Sequence, residues 1–391
     1  MKLYDKVSQA IDNNEYCIGI FIDLSKAFDT INHEILLKKL EIYGVRGLPN
    51  HLIRNYLMNR QQYVQFNNHT SEINMVNCGV PQGSILGPLL FLLYVNDMPL
   101  VCKELLFILF ADDTNILYSN SDIIQLMNTV NADLAILSDW FKANMLSLNV
   151  EKTSFMMFGY KIVPTVFDSR DLEFKIRIQN EDISKVEFTK FLGVIIDNKF
   201  TWQRHIKYIA LKISKSLSVL SRLKYKLPKN CLLTLYYNLI YSHFNYCIII
   251  WGCASKTLMN NLLVLQKRAV RIIDKTNYYK CHTDPIYKKF NLLKVGDVYI
   301  LSCLLFLYKY KFNLLPEVCK CLLTLNAGNN VAYNFRNVYN FFIPPHRTSL
   351  REKCLKVRGP KYWNSIPDDL KSVDSIFVFK RRLRTLFIEK Y

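Results

Sequence analysis

The chain has 391 residues, 50% of them apolar, which is ample for a large core and suggests two or three domains. Its eleven cysteines are scattered and none has C-x-x-C spacing, so the sequence favours reduced thiols over a disulfide framework or a zinc site. The formal net charge is +19, and residues 1–20 lack the basic start and apolar run of a secretory leader, so we expect an intracellular protein.

The positive charge is unevenly distributed along the chain. Residues 1–160 carry 11 Lys and Arg against 16 Asp and Glu, so the excess lies wholly in the later part. A basic surface attracts polyanions and suggests a nucleic-acid partner. A lysine-rich composition that only decorates solvated faces is the alternative, and the charge alone does not separate the two.

Strands and helices alternate in the predicted structure up to about residue 197. Apolar runs bounded by turn signals predict strands, and apolar residues spaced by three and four predict helices. The predicted strands are Tyr16–Asp23, residues 61–66 paired with 71–80, a hairpin at 105–118, Lys152–Gly159 and Phe191–Asp197. The predicted helices are Asn32–Tyr43, Pro49–Met58, Ile85–Asn96 and Asp122–Ala143.

After Thr201 the pattern becomes helical and basic. Apolar residues recur at helical spacing from Trp202 to Leu223, and further helices are predicted at 228–245, 257–273 and 297–312. Residues 231–255 contain no formal charge, but Asn238 and His243 near the middle argue against a membrane span. We predict a buried helix that runs into a strand at CIIIWG, and a domain boundary near 198–201.

Two adjacent carboxylates, Asp112 and Asp113, separate the apolar run LLFILF from the run Asn115–Tyr118. Aspartates are common in turns because their side chains accept hydrogen bonds from nearby backbone donors, and that is the ordinary interpretation. The flanking runs, however, indicate burial, where like charges repel unless a cation compensates them. A divalent metal bound through oxygen atoms is a suitable cation.

Asp23, at the end of the first predicted strand, would be the second acidic position. Carboxylates at the ends of neighbouring strands can meet at one edge of a sheet. There they can hold two Mg²⁺ ions ~3.5–4 Å apart, a spacing that stabilises the attacking and the leaving oxygen of a phosphoryl displacement. The sequence therefore predicts a metal site formed by Asp23, Asp112 and Asp113, with Mn²⁺ as a possible substitute for Mg²⁺.

Three motifs follow one another in the order of a known family: FIDLSKAFD (Phe21–Asp29), GVPQGS (Gly79–Ser84) and FADD (Phe110–Asp113). They resemble the palm motifs of reverse transcriptases, and most closely those of non-LTR retrotransposons, the LINE elements of the jockey-like kind. The resemblance continues through Leu148–Thr153 and Phe191–Asp197, and more loosely through Arg358–Pro367. It implies an α+β fold: a right-hand polymerase palm with an antiparallel sheet packed on helices, then an α-helical thumb and a C-terminal helical region.

The resemblance also implies roles at the nucleotide. Asp23 and Asp112 would bind both metal ions, and Asp113 would be the third, secondary carboxylate. Phe28 stands where the family has a bulky gate beneath the sugar, which leaves no room for a ribose 2′-hydroxyl, so the product would be DNA. A plain core aromatic is the alternative for Phe28.

Three further residues are implied near the nucleotide. Gln82 and Gly83 would lie along the nucleotide and the template, and an ordinary Pro-Gln-Gly turn is their alternative. Lys152 resembles the lysine proposed to protonate pyrophosphate, and a solvated lysine at a strand end is the alternative.

Primer and template contacts are implied in the later part of the chain. Leu192 and Gly193 match a hairpin that grips the primer, with core packing as the alternative. The basic helix after Thr201 would track the phosphates of the template–primer duplex, and for any single cation a solvated side chain is the alternative. The candidate cations are Lys207, Lys212, Lys215 and Arg222.

The predicted domains are a palm at 1–198 with most of the fingers missing, a helical thumb-like region at 199–275 and a basic helical C-terminal region at 276–391. The expected function is RNA-directed DNA polymerisation by a mobile element, with an RNA template, a DNA primer and dNTPs as partners. Only 22 residues precede Asp23 and no endonuclease is recognisable, so we expect a truncated chain with weak or absent polymerisation alone.

Two other functions stay open at this point. A non-catalytic nucleic-acid-binding remnant would use the basic later part of the chain and would not need the three carboxylates. An RNA-dependent RNA polymerase would place a polar residue where Phe28 stands. We expect a location in the nucleus or the cytoplasm, without a membrane-spanning segment.

Overall fold

The computed structural model describes residues 1–161, 166–167, 172–276, 282–320, 322–326 and 340–391. Contacts within the chain divide it into two units. One unit, called here the sheet unit, comprises Asn13–Glu187. The other, called the helical unit, comprises Met1–Asp12 together with Phe188–Tyr391. The assignment of a palm, a thumb and a C-terminal region to these residues stays a prediction.

The described elements confirm an α+β chain. Its helices are α1 (Lys2–Asp12), α2 (His33–Ile42), α3 (Leu48–Leu57), α4 (Leu86–Val95), α5 (Ile123–Ala143), α6 (Gln203–Leu223), α7 (Lys229–Tyr236), α8 (Ser242–Asn245), α9 (Ile248–Trp251), α10 (Lys256–Asp274), α11 (Asp284–Lys289), α12 (Val295–Lys311), α13 (Ser349–Lys353), α14 (Leu355–Asn364), α15 (Asp368–Lys371) and α16 (Ile376–Glu389). Its strands are β1 (Tyr16–Ile22), β2 (Arg60–Gln62), β3 (Gln65–Phe66), β4 (His69–Thr70), β5 (Asn74–Val76), β6 (Leu106–Phe110), β7 (Asp113–Asn120), β8 (Ser154–Phe158), β9 (Val166–Phe167), β10 (Leu172–Glu173), β11 (Arg177–Ile178), β12 (Glu181–Asp182), β13 (Ser184–Lys185), β14 (Phe188–Phe191) and β15 (Val194–Asp197). Short 3₁₀ turns lie at Met98–Leu100 and Glu317–Cys319, and a π-helical turn lies at Tyr237–Tyr241.

The sheet unit is built on a five-stranded sheet with the strand order β13-β8-β1-β7-β6. β1 is central and pairs antiparallel with β7 on one side and with β8 on the other. Side chains alternate between the two faces of a strand, and Ile18, Ile20 and Ile22 of β1 all point into one buried cluster. That cluster also takes apolar residues of α2, α4 and α5. This cluster therefore lies on one face of the sheet, and residues such as Cys17 and Phe158 are buried on the other face.

The helical unit is held by helix packing and by one buried amide. α6 packs against α10, and α12 packs against α9, α10, α14 and α16. Gln266 of α10 is fully buried, and its Nε2 donates to Tyr236 Oη (2.9 Å) and to the Leu293 carbonyl (2.8 Å). Its Oε1 accepts from the Val295 backbone N–H (2.9 Å), so a buried polar side chain is satisfied at both ends.

Two predicted strands differ from the structure, and a helix near the start of the chain was not predicted. The predicted strand Phe191–Asp197 is the second half of a hairpin, because Leu192 (φ +45°) and Gly193 (φ +79°) form a turn between β14 and β15. The predicted strand CIIIWG is the short helix α9. Trp251 of that helix is fully buried, and its Nε1 donates to the Tyr246 carbonyl (2.8 Å), which favours a helical turn. The helix α1 was not predicted.

Among the residues that the structure describes, no helix combines the length and the apolar character that crossing a membrane requires.

A buried ion pair holds α1 within the helical unit. Arg351 Nη1 lies 2.7 Å from Asp5 Oδ1, and each side chain is only 7% exposed. The same Nη1 donates to the Asp5 carbonyl (2.9 Å) and to Ser8 Oγ (3.0 Å). At the other end of α1, Asp12 Oδ1 accepts from the backbone N–H and the hydroxyl of Thr348. Residues more than 330 positions apart in the sequence therefore form one packed element.

We expect Arg351→Ala to lower the free energy of unfolding by about 3 kcal/mol, because it removes the closest partner of the buried Asp5 carboxylate and leaves the more distant Lys356, whose Nζ lies 3.7 Å from Asp5 Oδ2. Urea denaturation of the purified chain measures this change. Lys320→Ala is the control, since it removes an ion pair with Glu317 whose side chains are 60% and 89% exposed and should change stability by less than about 1 kcal/mol. Equal losses in the two variants would contradict the prediction.

Candidate active site

The three predicted carboxylates lie at one end of the sheet. Asp23 follows the last residue of β1, and Asp113 is the first residue of β7. Ala111 and Asp112 are the two residues between the paired positions Phe110 and Asp113 of the β6–β7 hairpin. Ala111 has φ +51°, the left-handed conformation that suits the first position of a tight hairpin turn. The turn thus holds Asp112 at the tip of the hairpin.

The strand register brings Asp23 to Asp113. Ile22 of β1 pairs with Thr114 of β7 in the antiparallel ladder, so the next residues outward on the two strands are Asp23 and Asp113. Burial raises the pKa of the Asp113 carboxyl, and the negative charges of Asp112 and Asp23 raise it further. The charges of Asp23 and Asp112 therefore act on Asp113, and a metal site formed by the three carboxylates stays a prediction.

A lysine and a threonine from the loop before β8 complete this end of the sheet. Lys152 Nζ lies 3.8 Å from Asp23 Oδ2, with side chains that are 72% and 46% exposed. The Asp23 backbone N–H donates to the hydroxyl of Thr153 (3.4 Å), and the Asp23 carbonyl accepts from the Asn149 N–H (2.9 Å). The loop is thus fastened to the end of β1, and it places a positive charge beside Asp23.

The carboxylates fit a divalent metal by their chemistry. Hard cations such as Mg²⁺ prefer oxygen ligands, and three clustered carboxylates leave a negative charge that a cation would compensate. In the described part of the chain, no three His, Cys, Asp or Glu side chains are arranged so that they could together hold an ion. The donor set is therefore present, whereas its arrangement around an ion stays a prediction.

The loop after β1 and the GVPQGS loop are tied together by hydrogen bonds. The Val80 N–H donates to the Phe28 carbonyl (2.9 Å), and the Gly79 N–H donates to the Ile31 carbonyl (2.8 Å). His33 Nε2 and the Gly79 carbonyl are 2.7 Å apart. Gly79 has φ +83°, and a Cβ at this position would lie 2.8 Å from the Asp29 backbone. Only glycine lets the two loops approach this closely.

The residues predicted at the nucleotide lie on these two loops. Phe28 is half-buried, and the centroid of its ring lies 4.6 Å from that of Phe91 on α4. Gln82 and Gly83 are exposed, and the Ser84 N–H donates to the Pro81 carbonyl (3.3 Å), which closes a turn around them. Gly83 has φ +79°, as the third residue of a type II turn requires. Gln82 Nε2 donates to Asp29 Oδ1 (2.8 Å).

We expect Gly79→Ala to destabilise the chain by at least about 2 kcal/mol more than Gly83→Ala. Both residues have a positive φ, so each alanine has a left-handed backbone that costs about 1–2 kcal/mol. Only at Gly79 does the new Cβ also meet backbone, whereas nothing lies within 4 Å at Gly83. Urea denaturation of both variants measures the difference. Equal destabilisation would show that the close approach of the loops is unimportant.

In the helical unit, the Leu192–Gly193 turn lies near the surface, where the side chain of Tyr246 packs against it. The Tyr246 hydroxyl donates to the Leu192 carbonyl (2.7 Å). A Cβ on Gly193 would lie 3.3 Å from the Tyr246 ring, so the ring lies directly over the turn.

The four cations predicted on α6 share the exposed side of that helix. At about 100° per residue they lie within an arc of roughly 140°, opposite the buried residues Ile206, Ile213 and Leu220. The apolar stripe predicted for this helix is confirmed. The exposed cations are Lys207, Lys212, Lys215 and Arg222.

A cationic pocket lies beside the Leu192–Gly193 turn. His205 is 2% exposed; its Nδ1 accepts from the Ile195 N–H (3.2 Å), so in the neutral ring the proton is on Nε2. Within the described residues, Nε2 has no hydrogen-bond partner. A hydrogen bond with Lys212 lowers the pKa of Tyr208, and the charges of Lys190 and Lys212 lower it further against the opposing effect of burial. The pocket is lined by Lys190, Gly193, His205, Tyr208, Lys212 and Tyr246, among others.

We expect the stability of the chain to fall as the pH drops from 7 to 4, in part because of His205. Burial lowers the pKa of His205 to about 4 in the folded chain, against an ordinary value of 6.5, so the unfolded chain binds the proton first. The loss begins near pH 6.5 and reaches about 2–3 kcal/mol near pH 4. His205→Asn keeps an acceptor for Ile195 and should lose that much less stability. Parallel pH curves for the two proteins, measured by urea denaturation, would contradict this.

The sequence model of the family "Reverse transcriptase (RNA-dependent DNA polymerase)" matches residues 2–209, more than half of the chain. The chain belongs to the reverse transcriptase family. The fold predicted from the motifs is therefore confirmed at the level of the family, and the three carboxylates lie within the matched range.

The similar curated proteins are polymerases of insect mobile elements. "Probable RNA-directed DNA polymerase from transposon BS" of Drosophila melanogaster is 30% identical over 76% of this chain and 33% of its own length. "RNA-directed DNA polymerase from mobile element jockey" of the same organism is 26% identical over 74% of this chain and 32% of its own length. The chain thus spans about a third of the length of these relatives, and the predicted kinship with jockey-like non-LTR retrotransposons is confirmed.

Among solved structures, a telomerase from Candida albicans in complex with a fragment of telomeric RNA aligns with 82% of this chain and 51% of its own. The TM-score is 0.38 and the sequence identity is 14%, so this likeness adds nothing to the family assignment.

Sequence reasoning overlooked four residues of these sites. Asp29 was within the quoted motif FIDLSKAFD, and an acidic residue at the end of that motif was a signal that could have been followed. Thr153 likewise ends the quoted segment Leu148–Thr153, whereas His205 and Tyr246 gave no such signal. Their partners, the backbone groups of Ile195 and Leu192, are determined by how the β14–β15 hairpin packs in the helical unit.

Proposed function

We propose that the chain is the polymerase part of a mobile element and carries out RNA-directed DNA synthesis. One observation carries this proposal: the β1–β7 register brings Asp23 to Asp113, with Asp112 in the adjoining turn. Membership of the reverse transcriptase family supports the reaction class, namely transfer of dNTPs to a primer 3′-hydroxyl on an RNA template.

The carboxylates would provide the oxygen ligands of the metal site. Asp23 and Asp112 would bind both ions, and Asp113 would be the third carboxylate. Two Mg²⁺ ions, when bound, supply the positive charge that activates the primer hydroxyl and neutralises the triphosphate. Lys152, whose ammonium lies 3.8 Å from Asp23, would donate a proton to the departing pyrophosphate.

The two loops that are tied together would bind the nucleotide. Phe28 packs against Phe91, with ring centroids 4.6 Å apart, and this contact would restrict movement of the Phe28 ring away from a 2′-hydroxyl. This supports deoxynucleotides as the substrate. Gln82 and Gly83, exposed on their turn, would lie along the nucleotide and the template.

The helical unit would bind the template–primer duplex. The Leu192–Gly193 turn would contact the primer, and the ammonium groups of Lys190 and Lys212 in the adjoining cationic pocket would bind a backbone phosphate. The exposed cations Lys207, Lys215 and Arg222 extend this charge along α6. Each phosphate contact of this kind makes binding weaken more steeply with salt.

We expect Asp112→Ala and Asp23→Ala to reduce primer extension by about a hundredfold or more, because each removes oxygen ligands at the reacting phosphate. The measurement is extension of a DNA primer on an RNA template by the purified chain with Mg²⁺, for which we expect a weak rate even in the native chain. Asp139→Ala is the matched control, since that carboxylate is 81% exposed on α5 and pairs with the neighbouring Lys142.

Equal extension by the native chain and Asp112→Ala would remove Asp112 from catalysis. Binding of the template–primer duplex without extension, in Mg²⁺ and in Mn²⁺, would instead indicate a non-catalytic nucleic-acid-binding protein. Preference for ribonucleotides over deoxynucleotides would favour an RNA-dependent RNA polymerase.

A further inference from the structure

The last helix of the chain, α16, carries positive charge without negative charge to balance it. The sequence has no acidic residue from 375 to 388, and the cations in this stretch are Lys380, Arg381, Arg382 and Arg384. A helix face that is merely solvated commonly interleaves the two signs, which keeps its cations compensated. The helix also lies outside residues 2–209, which the family model matches, so its charge calls for an explanation of its own.

α16 also holds an aromatic ring out in the solvent. Phe377 is 81% exposed, whereas Phe379, Leu383 and Phe387 on the packed side of the helix are at most 7% exposed. A single exposed apolar side chain is common on protein surfaces and needs no explanation by itself. The residues around Phe377 make this ring different.

Three of the cations share a face with that ring. At about 100° per residue, Phe377, Lys380, Arg381 and Arg384 lie within an arc of roughly 100°, which we call the α16 face. Lys380 and Arg381 are exposed and flank the ring on its two sides. Arg384 is half-buried, and its Nη2 donates to the Asn291 carbonyl (2.6 Å), which fastens the helix to the segment after α11.

An aromatic ring between cations suits an unpaired strand of nucleic acid. Such a strand exposes its bases, which stack on aromatic side chains, while its phosphates contact the neighbouring cations. A duplex fits less well, because its bases are already stacked on one another. An anionic membrane would need a wide apolar face, but the apolar side of α16 is buried in the helical unit.

We propose that the α16 face binds single-stranded RNA, with a base stacked on Phe377 and phosphates on Lys380, Arg381 and Arg384. The choice of RNA rests on the proposed function, in which the template is unpaired until it is copied and the new DNA stays paired with it. From Phe377 to Arg384 the helix rises about 10 Å. This is the length of about three nucleotides stacked at ~3.4 Å each, so the face suits a short segment of the strand.

The first test measures binding of fluorescein-labelled U12 RNA to the full chain by fluorescence anisotropy, without dNTPs. Phe377→Ala should weaken binding at least about fivefold, because one base loses its stacking partner. Phe377→Leu keeps an apolar side chain without an aromatic face and should lose as much, whereas Phe377→Trp should bind like the native chain. Binding of a blunt RNA–DNA duplex should be the same in all four proteins.

The second test counts the phosphate contacts. Lys380→Ala and Arg381→Ala should each reduce the slope of log K against log salt concentration for U12 by about 0.7, as the loss of one contact to a single strand requires. Arg382→Ala is the matched control. It removes an exposed cation from the same helix, but at about 140° from Phe377, and should leave the slope unchanged.

The remaining outcomes each count against one proposal. Native affinity of Phe377→Leu for U12 would show a general apolar contact, and equal slopes in the three alanine variants would show diffuse attraction; either result overturns the α16 face. Tighter binding of dT12 than of U12 overturns the assignment to RNA. Failure of the native chain to extend a primer contradicts the proposed function, while binding of U12 still decides whether the α16 face holds a single strand.

Discussion

A single antiparallel register between β1 and β7 underlies the whole carboxylate site. Ile22 lies opposite Thr114, so Asp23 and Asp113 are the next residues outward on the two strands. Because side chains alternate between faces, a slip of one residue would turn β1 over and send Asp23 towards the core. The buried residues Ile18 and Ile20 prevent this slip, since it would move them onto the face of Gly19, where even a Cβ would lie 2.7 Å from the Phe158 ring. The hydrophobic core thus positions the charged site.

Backbone hydrogen bonds, rather than side-chain contacts, fix the positions of the loops that surround the carboxylates. The Asp23 carbonyl holds the loop that carries Lys152, and the Phe28 carbonyl holds the loop that carries Gln82. Each loop leaves the sheet and is fastened again within a few residues. Side chains that are exposed, and would otherwise sample many rotamers, therefore project from defined positions.

The two units carry different parts of the proposed function. The sheet unit holds the carboxylates and the nucleotide residues, and its part of the chain is slightly acidic. The helical unit holds the exposed cations of α6 and the pocket around His205, where the charge suits the phosphates of a nucleic acid. In the proposed function, the uneven charge of the sequence would therefore reflect a division between catalysis in the sheet unit and nucleic-acid binding in the helical unit.

Much of the fold was predictable where the signal was local. The stripe of α6, the β6–β7 hairpin and the strand β1 follow from periodicity and turn residues within short windows. The helix α9 and the hairpin turn at Leu192 were not predictable in this way. The isoleucine run of α9 has a high strand propensity. The segment is helical instead, and the helix buries Trp251 and lets its Nε1 donate to the Tyr246 carbonyl.

The sequence by itself determined which residue types could form a site, because three motifs in order identify Asp23, Asp112, Asp113 and Gln82. Only the tertiary structure decided their partners. Asp29 meets Gln82, Lys152 meets Asp23, and Arg351 meets Asp5 across 53, 129 and 346 positions of the chain. Such contacts depend on how packed elements bring loops together, and neither periodicity nor turn chemistry reaches across those distances.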